Sequence, residues 1–459
     1  MKELSLMQLV QWCGGELRPA DAVGSISGIQ HDSRAVQPGE LFVALPGERV
    51  DGHDFIENAR KAGAVAALVD RPVDCGIPQI LVSDTLKAYG DIARQYRMAQ
   101  DLSVVAITGS VGKTTTKEMI SCVLSGKYRV SKTQGNHNNN LGLPITVMSM
   151  AADTQVAVLE LGMNHFGEMS YLTSIAQPDL VVITNIGTMH IEHLGTREGI
   201  LKAKLEIMEG IRSNGIAVFN GDEPLLWNLR EGTHRCVYFG IENDQCDVVA
   251  EDIRQTDSGI YFTVKGLSQK FQIFVPQEGH HMVYNALAAV TVGLLKGVSP
   301  ESIQYQLSLF HNVGMRQKIF EEKGFTIIED CYNAGPESME AALRVLGGHK
   351  TKGRRIAVLG DMLELGTRAG AEHYRIGRLA ASIADLVLAY GPHSARVVTG
   401  AVTGGMHTKR TLHFDDQEEM ARTLKRMAKA GDTILFKGSQ GMHMWDVLKL
   451  FLDEENTQH

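Results

Sequence analysis

Short apolar runs bounded by turn residues recur along the chain and predict buried β-strands. Segments with helical spacing lie between many of these runs, as in 84–98, where Leu86, Tyr89, Ile92 and Tyr96 would share one helix face. Strands that alternate with helices are typical of a parallel, doubly wound sheet, so the pattern predicts an α/β fold. The predicted strand segments are 26–29, 40–45, 64–69, 103–107, 155–163, 179–186, 216–219, 260–264, 325–330, 355–366, 385–390 and 433–439.

The pattern divides the chain into three predicted domains, and its 459 residues would suffice for three domains of ~150 residues each. Residues 1–100 would form a small α/β module, and 101–313 a central domain with a mostly parallel sheet. Residues 314–459 would form a Rossmann-like, doubly wound domain, with 310–316 as the connection before it.

The segment 103–116 has the layout of a phosphate-binding P-loop: a strand, a glycine-rich turn, a Lys-Thr pair and a helix predicted over 117–124. Glycines let backbone N–H groups point at phosphate oxygens, and the helix N-terminus adds partial positive charge. Lys113 would reach the outer phosphates of a nucleotide, and the Thr114 hydroxyl would bind Mg²⁺. The predicted nucleotide-binding residues are Gly109, Ser110, Val111, Gly112, Lys113, Thr114 and Thr115.

The spacing of this loop is shorter than that of the common motif, which would place its first glycine at Ile107. The sequence instead has Gly-x-x-Gly-Lys-Thr. An ordinary strand-turn-helix segment that carries a lysine by chance therefore remains an alternative to a phosphate-binding loop.

Polar residues follow the central strands where further ligands are expected. Within the strand segment 155–163, Glu160 follows the apolar run at its end. The carboxyl ends of strands in an open α/β sheet are where ligands bind, so Glu160 is a candidate Mg²⁺ ligand. It could instead pair with a lysine or arginine. His190 follows the next strand and could bind a metal ion or phosphate, or be structural. The loop 132–144, rich in Asn and Gly, would place amide groups such as that of Asn138 beside the phosphate site.

Composition excludes several classes of protein. The net charge of −8 argues against general nucleic-acid binding, and no apolar run approaches the length of a membrane span. The N-terminus does not have the pattern of a secretory signal. Six scattered cysteines without CxxC spacing indicate reduced thiols, so we expect a cytoplasmic protein.

Taken together, these segments resemble the Mur ligases, the ATP-dependent ligases of peptidoglycan precursor synthesis. The similarity covers nearly the whole chain and rests on the order of several modest motifs. These are 108–115, the Glu160-Leu161-Gly162 strand end, Thr184-Asn185-Ile186 with His190, Ala203-Lys204, and His281 with Asn285.

Two kinds of Mur ligase share the N-terminal pattern that begins Asp32-Ser33-Arg34: the one that adds the third residue and the one that adds D-alanyl-D-alanine. The C-terminal segments 330–336 and 359–366 are similar to those of the ligases that add D-alanyl-D-alanine, and residues 314–459 lack the Asp-x-Pro-type motif of the third-residue ligases. Three positions depart from the pattern: Gly335 replaces Asn, Gln440 replaces Arg, and Met282 replaces Asn.

The resemblance implies that ATP activates the terminal carboxylate of UDP-N-acetylmuramoyl-tripeptide as an acyl phosphate, which the amine of D-Ala-D-Ala then attacks. It implies two Mg²⁺ sites, one held by Thr114 and Glu160 and the other by His190 and a carbamylated Lys204. Lys113, His190 and Lys204 would be catalytic. From the residues alone, Lys204 could be an exposed helix lysine, and Lys202 is a rival for its role.

The resemblance also assigns binding residues. Asn285, whose amide can read an adenine edge, would contact the nucleotide together with Arg316 and Asp330 as the C-terminal domain closes. The substrate-binding residues would be Ser33, Arg34, Asn138 and Asn333, with Ser33 and Arg34 holding the UDP group. From the residues alone, Arg34 could equally pair with an acid while Asp32 and Ser33 cap a turn.

We expect a monomer that acts on small-molecule substrates. Three alternatives remain open at this point: a third-residue ligase, a ligase similar to folylpolyglutamate synthase, and a non-catalytic nucleotide-binding partner. The Asp32-Ser33-Arg34 module argues against the second. The joint presence of Lys113, Glu160, His190 and Lys204 argues against the third.

Overall fold

The computed structural model describes residues 2–47, 50–232 and 235–453. Within them the chain forms three mostly parallel sheets covered by helices, and the predicted α/β fold is confirmed. The domain boundaries predicted at residues 100 and 313 remain predictions. None of the described helices has the length and hydropathy needed to cross a membrane.

The N-terminal unit contains a five-stranded sheet in which only the first pair is antiparallel. Its strands, in spatial order, are Glu16–Arg18, Gln79–Leu81, Ala66–Val69, Glu40–Val43 and Gly28–Gln30. A two-stranded ribbon pairs Leu4–Ser5 with Ser25–Ile26. The α-helices are Leu6–Cys13, Ile56–Ala62 and Thr85–Met98. The last begins where Asp84 accepts a hydrogen bond from the Lys87 N–H, an N-cap of the usual kind.

The central unit is built on a nine-stranded sheet. In spatial order its strands are Gln269–Val275, Gly259–Gly266, Val248–Thr256, Cys236–Gly240, Ile216–Asn220, Leu180–Ile183, Ser103–Thr108, Val156–Glu160 and Val130–Lys132. The first and second strands pair antiparallel, as do the second and third, and all the other pairs are parallel. Val105 and Ile107 pack into one core while Val104 and Ala106 pack into another, so the sheet is buried on both faces.

The helices of the central unit are Lys113–Ser125, Gly142–Met148, Glu168–Ala176, Ile191–Leu194, Arg197–Leu205, Pro224–Trp227, His281–Leu295 and Pro300–Ser308. The helix after the P-loop begins at Lys113, four residues before its predicted start at Lys117. Gly112 has a φ of 83° and turns the chain so that the Lys-Thr-Thr run already has helical geometry.

The C-terminal unit has a six-stranded sheet in the order Lys318–Glu322, Phe325–Asp330, Thr433–Lys437, Arg355–Gly360, Leu386–Tyr390 and Thr411–Phe414. Only its first pair is antiparallel. The helices Pro336–Gly348, Ala369–Ile383, Ala395–Thr403, Gln417–Met427 and Met444–Leu452 accompany it. This is the doubly wound arrangement that the sequence predicts.

Candidate functional site

A cleft of about 750 Å³ lies between the central and C-terminal units. Its walls come from the P-loop, the Asn-rich loop and the carboxyl ends of strands in both sheets, as expected for ligand sites of open α/β folds. The sequence-predicted residues that line it are Ser110, Val111, Gly112, Lys113, Thr114, Thr115, Asn138, Glu160, His190, Asn285, Arg316, Asp330 and Asn333.

The P-loop is held by hydrogen bonds to the end of the neighbouring strand. The Val111 N–H donates to Asn185 Oδ1 over 2.9 Å, and the Val111 carbonyl accepts from the Thr184 hydroxyl over 2.7 Å. Gly109 has a φ of 153°, and a Cβ there would collide with Thr184. Only glycine therefore allows this close approach between loop and strand.

Lys113 folds back over the loop, where its ammonium donates to the carbonyl of Gly109 over 2.8 Å. Burial lowers the pKa of Lys113. The negative charge of nearby Glu160 partly offsets this shift, because it favours the charged form of the lysine. A phosphate that entered the loop would offer this ammonium an anionic partner in place of neutral carbonyls.

Glu160 is almost fully buried and accepts hydrogen bonds on both carboxylate oxygens. The Thr114 hydroxyl donates to Oε2 and the Asn138 amide donates to Oε1, each over 2.8 Å. Lys117 is also near, with its ammonium 3.8 Å from Oε2, but it lies closer to Glu118 at 3.1 Å. The structure therefore brings together the two predicted Mg²⁺ ligands, and the alternative ion pair is present only as a longer contact.

These donors fit a magnesium ion. Among the described residues no three His, Cys, Asp or Glu side chains cluster as a metal site. Mg²⁺ does not need such a cluster, because it binds one or two protein oxygens together with water and substrate phosphates. The Thr114 hydroxyl and Glu160 carboxylate are oxygen ligands of the required type.

His190 joins the cleft from the loop before the helix Ile191–Leu194. Its Nδ1 lies 2.6 Å from Oε2 of Glu364, which comes from the C-terminal unit. Burial lowers the pKa of His190, and the hydrogen bond from His190 lowers the pKa of Glu364. The imidazole is thus the type of group that binds a metal ion or phosphate, with one ring nitrogen already engaged.

Lys204 is buried, with 1 % of its surface exposed, and lies behind the cleft wall rather than in the lining. Burial and the charge of Lys113 hold the pKa of Lys204 well below its ordinary value. Within the described part of the chain no carboxylate forms an ion pair with it. The alternative of an exposed helix lysine is therefore wrong for Lys204, whereas Lys202 lies near the half-exposed ring of Phe166.

Asn285 lies against the P-loop, and its amide oxygen accepts from the Thr116 hydroxyl over 3.1 Å. Its amide nitrogen lies 3.8 Å from the sulfur of Met282, one of the three departures from the family pattern. A thioether is a weak acceptor, so that N–H group could exchange this contact for a better acceptor on a ligand.

The C-terminal wall carries alternating charges. Lys437 donates to Asp330 Oδ2 over 2.6 Å and to the carbonyl of Asn333 over 3.0 Å. The guanidinium carbon of Arg316 lies 3.6 Å from the ring centroid of Tyr332, which holds this cation at the cleft by a cation–π contact.

Ser33 and Arg34 lie outside the cleft, in the N-terminal unit. The Arg34 side chain is 88 % exposed and forms a two-point ion pair with Asp32. Hydrogen bonds from Arg34 lower the pKa of Asp32 to about 2. This is the local ion pair that the sequence left as an alternative, and a role in UDP binding remains a prediction.

Three family models match successive parts of the chain: "Mur ligase family, catalytic domain" at 25–97, "Mur ligase middle domain" at 107–293, and "Mur ligase, glutamate ligase domain" at 315–440. The chain is 41% identical to the UDP-N-acetylmuramoyl-tripeptide–D-alanyl-D-alanine ligase of Bacillus subtilis (strain 168), over 92% of this chain and 93% of that one. The chain belongs to the Mur ligase family.

Two solved structures are similar to this Mur ligase over nearly their whole length. MurF from Acinetobacter baumannii has a TM-score of 0.91 and 33% identity, covering 99% of this chain and 100% of the other. MurF from Thermotoga maritima in complex with ADP has a TM-score of 0.83 and 31% identity, covering 92% and 96%.

Glu364 and Gln317 are among the cleft residues of this Mur ligase to which no role was assigned from its sequence. Glu364 lies in the segment 359–366, in the loop that follows the strand Arg355–Gly360, and an acid in such a loop is the signal that could have identified it. Gln317 is buried and donates its backbone N–H to Asp330 over 3.2 Å. No local sequence feature distinguishes that glutamine.

Proposed function

We propose that this Mur ligase joins D-Ala-D-Ala to UDP-N-acetylmuramoyl-tripeptide with ATP as the energy source. The observation that carries the proposal is the cleft, which places a P-loop with Lys113 opposite a second wall that bears Arg316 and Lys437. The names of its relatives, and the ADP complex of the T. maritima neighbour, support the choice of substrates.

In the proposed reaction the tripeptide carboxylate oxygen attacks the γ-phosphorus of ATP, and the bond to ADP breaks. The amine of D-Ala-D-Ala then attacks the acyl phosphate carbon, phosphate leaves, and the nitrogen loses a proton. Two anions must meet in the first step, so cations must offset their repulsion. Lys113 would supply one such charge, and Thr114 with Glu160 would hold a Mg²⁺ ion that supplies more.

A second Mg²⁺ would be held by His190 and a carbamylated Lys204. Carbamylation needs an uncharged amine to attack carbon dioxide, and the burial of Lys204 favours that form. The carbamate would convert a buried cation into an oxygen ligand suited to Mg²⁺. A ¹³C carbamate signal after equilibration with labelled bicarbonate, absent in Lys204→Arg, would support this modification.

The remaining contacts follow from the cleft. Asn138 and Asn333 would contact the tripeptide and dipeptide substrates. The nucleotide would be contacted by Asn285, Arg316 and Asp330. Closure of the walls would exclude water, which otherwise hydrolyses the acyl phosphate. Ser33 and Arg34 would hold the UDP group. Arg34 would first release its ion pair with Asp32 and then bind the UDP phosphates. We further propose a cytoplasmic monomer.

The test is phosphate release from ATP with UDP-N-acetylmuramoyl-tripeptide, offering D-Ala-D-Ala, L-lysine and meso-diaminopimelate as separate amines. We expect release only with D-Ala-D-Ala, and a fall in kcat of about 10²–10³ in Lys113→Met. Release with either amino acid instead, or with none of the three, would refute the assignment.

A further inference from the structure

A side-chain contact of 2.6 Å joins the two walls of the cleft and connects His190 with Glu364, 174 residues apart in sequence. Glu364 lies in the loop after the strand Arg355–Gly360 of the C-terminal unit, whereas His190 follows the strand Leu180–Ile183 of the central unit. The contact therefore exists only while these two units have the relative position seen here.

Both residues have unusual backbone geometry. His190 has a φ of 64° and Glu364 a φ of 62°, in the left-handed region that residues other than glycine seldom adopt. Such conformations cost free energy and persist where the surroundings enforce them, often at functional sites. The structure therefore holds both residues of this contact in conformations that their surroundings must enforce.

The loop that carries Glu364 is anchored within its own unit. The Leu363 N–H donates to the Ser439 hydroxyl over 2.9 Å, and the Met362 N–H donates to Nε2 of the buried His373 over 3.0 Å. The carbonyl of Glu364 also faces the Glu192 N–H at 3.5 Å, next to His190 on the other wall. The carboxylate is thus presented to the imidazole from a fixed position.

The chemistry of the pair sets the tautomer of His190. An ionised carboxylate only accepts hydrogen bonds, so Nδ1 must carry the proton and donate it to Glu364. The lone pair then resides on Nε2, the ring nitrogen free to bind a ligand. Histidines that bind metals almost always donate their other N–H to a carboxylate or carbonyl, which fixes the ring and raises its basicity.

We propose that Glu364 is a positioning residue for His190: it fixes the Nδ1–H tautomer and directs Nε2 into the cleft only when the C-terminal unit is docked. This inference rests on the proposed function for the metal role of His190. On this proposal, the orientation of His190 as a ligand of the second Mg²⁺ depends on docking of the C-terminal unit. By linkage, metal bound at His190 must stabilise the docked arrangement to the same extent.

The test uses the full chain with the variants Glu364→Ala and Glu364→Gln. Glu192→Gln is the matched control, because Glu192 is an exposed acid next to His190 in sequence, whereas the imidazole pairs with Glu364. The imidazole tautomer is read by ¹⁵N NMR of histidine-labelled protein, with His190→Gln to assign the signal. Mn²⁺ affinity is measured with a non-hydrolysable ATP analogue and UDP-N-acetylmuramoyl-tripeptide present.

We expect Nδ1–H in the wild type, a shift toward Nε2–H in Glu364→Ala, and a loss of about 10- to 100-fold in Mn²⁺ affinity and kcat. The KM for ATP should stay within about twofold, because the P-loop is untouched. Glu364→Gln should lose less Mn²⁺ affinity and kcat, since its amide oxygen can still accept the hydrogen bond from Nδ1. This variant also tests the proposal if the alanine variant does not fold. Glu192→Gln should match the wild type in all readouts.

An unchanged tautomer in Glu364→Ala, or a changed tautomer with unchanged Mn²⁺ affinity, would overturn the positioning role. Equal losses in the control variant would overturn it too, because they would indicate a general effect of charge. If the wild type forms no amide, the proposed function fails, while the tautomer and Mn²⁺ measurements still decide the role of Glu364.

Discussion

The central unit joins its two neighbours in different ways. Toward the N-terminus it shares one continuous apolar core, in which Tyr89 and Ile92 of the helix Thr85–Met98 pack with Leu143, Met169 and Leu172. Toward the C-terminus the cores are separate, and each lies wholly within its own unit.

The joint with the C-terminal unit is polar. Thr188 donates to Glu337 over 3.0 Å, His190 pairs with Glu364, and His349 lies 2.9 Å from Glu278. Separating a packed apolar core loses its close contacts. Separating a few hydrogen-bonded pairs costs less free energy, because water can replace each partner. We therefore expect the first joint to stay fixed, and the second to open and close around substrates.

The largest effect should come from the shared core. Ile92→Ala removes a fully buried side chain and should destabilise the protein by about 3 kcal/mol, measured by urea unfolding. Met98→Ala, on an exposed face of the same helix, should change stability by no more than about 0.5 kcal/mol. Equal effects of the two changes would mean that the shared core does not stabilise this joint.

A smaller loss should follow from Arg97→Met. The buried Arg97 guanidinium donates to the carbonyls of Ala176 and Gln177 at the end of the helix Glu168–Ala176. Methionine keeps the apolar stem but leaves these carbonyls without a donor, so we expect about 2 kcal/mol of destabilisation. Thermal unfolding measures it, and a Tm equal to that of the wild type would contradict the assignment of Arg97 to this joint.

The polar joint should respond to pH instead. Glu278 raises the pKa of His349, and the nearby Glu321 acts in the same direction while burial and Arg355 oppose it. A raised pKa means that the stabilising contribution is complete below the unfolded value near 6.5 and is lost as pH rises through the folded value.

We therefore expect the C-terminal unit to become more mobile as the pH rises above about 6.5, with less than about 1 kcal/mol involved because the pair is half-buried. Small-angle scattering of the protein without substrates measures this change. His349→Gln should flatten the profile. A profile that keeps its slope in this variant would show that another group controls the joint.

The smallest effect should come from Gly335→Asn, which restores a residue more usual in this family. A Cβ at Gly335 would lie 2.9 Å from Cγ of Met189, a flexible side chain that can move. Asparagine is a slightly better N-cap than glycine, so stability should change by no more than about 0.5 kcal/mol in urea unfolding. A loss of more than about 2 kcal/mol would show that Met189 cannot yield.

The features that could be predicted from the sequence are those whose residues lie close together along the chain. The P-loop could be recognised because strand, glycines and Lys113-Thr114 lie within one short segment, and Glu160 because it ends a buried strand. The pairing of His190 with Glu364 could not be predicted, because it depends on how two units dock. The start of the helix at Lys113 was missed because it depends on the left-handed turn at Gly112.

The shared apolar core has a consequence for synthesis of the chain on the ribosome. The helix Thr85–Met98 emerges long before its partners Gly142–Met148 and Glu168–Ala176, so its apolar face initially has nothing to cover it. The first hundred residues should therefore remain incompletely folded, and open to chaperones and proteases, until roughly twice that length has been translated. The C-terminal unit, with cores of its own, can fold as soon as it is released.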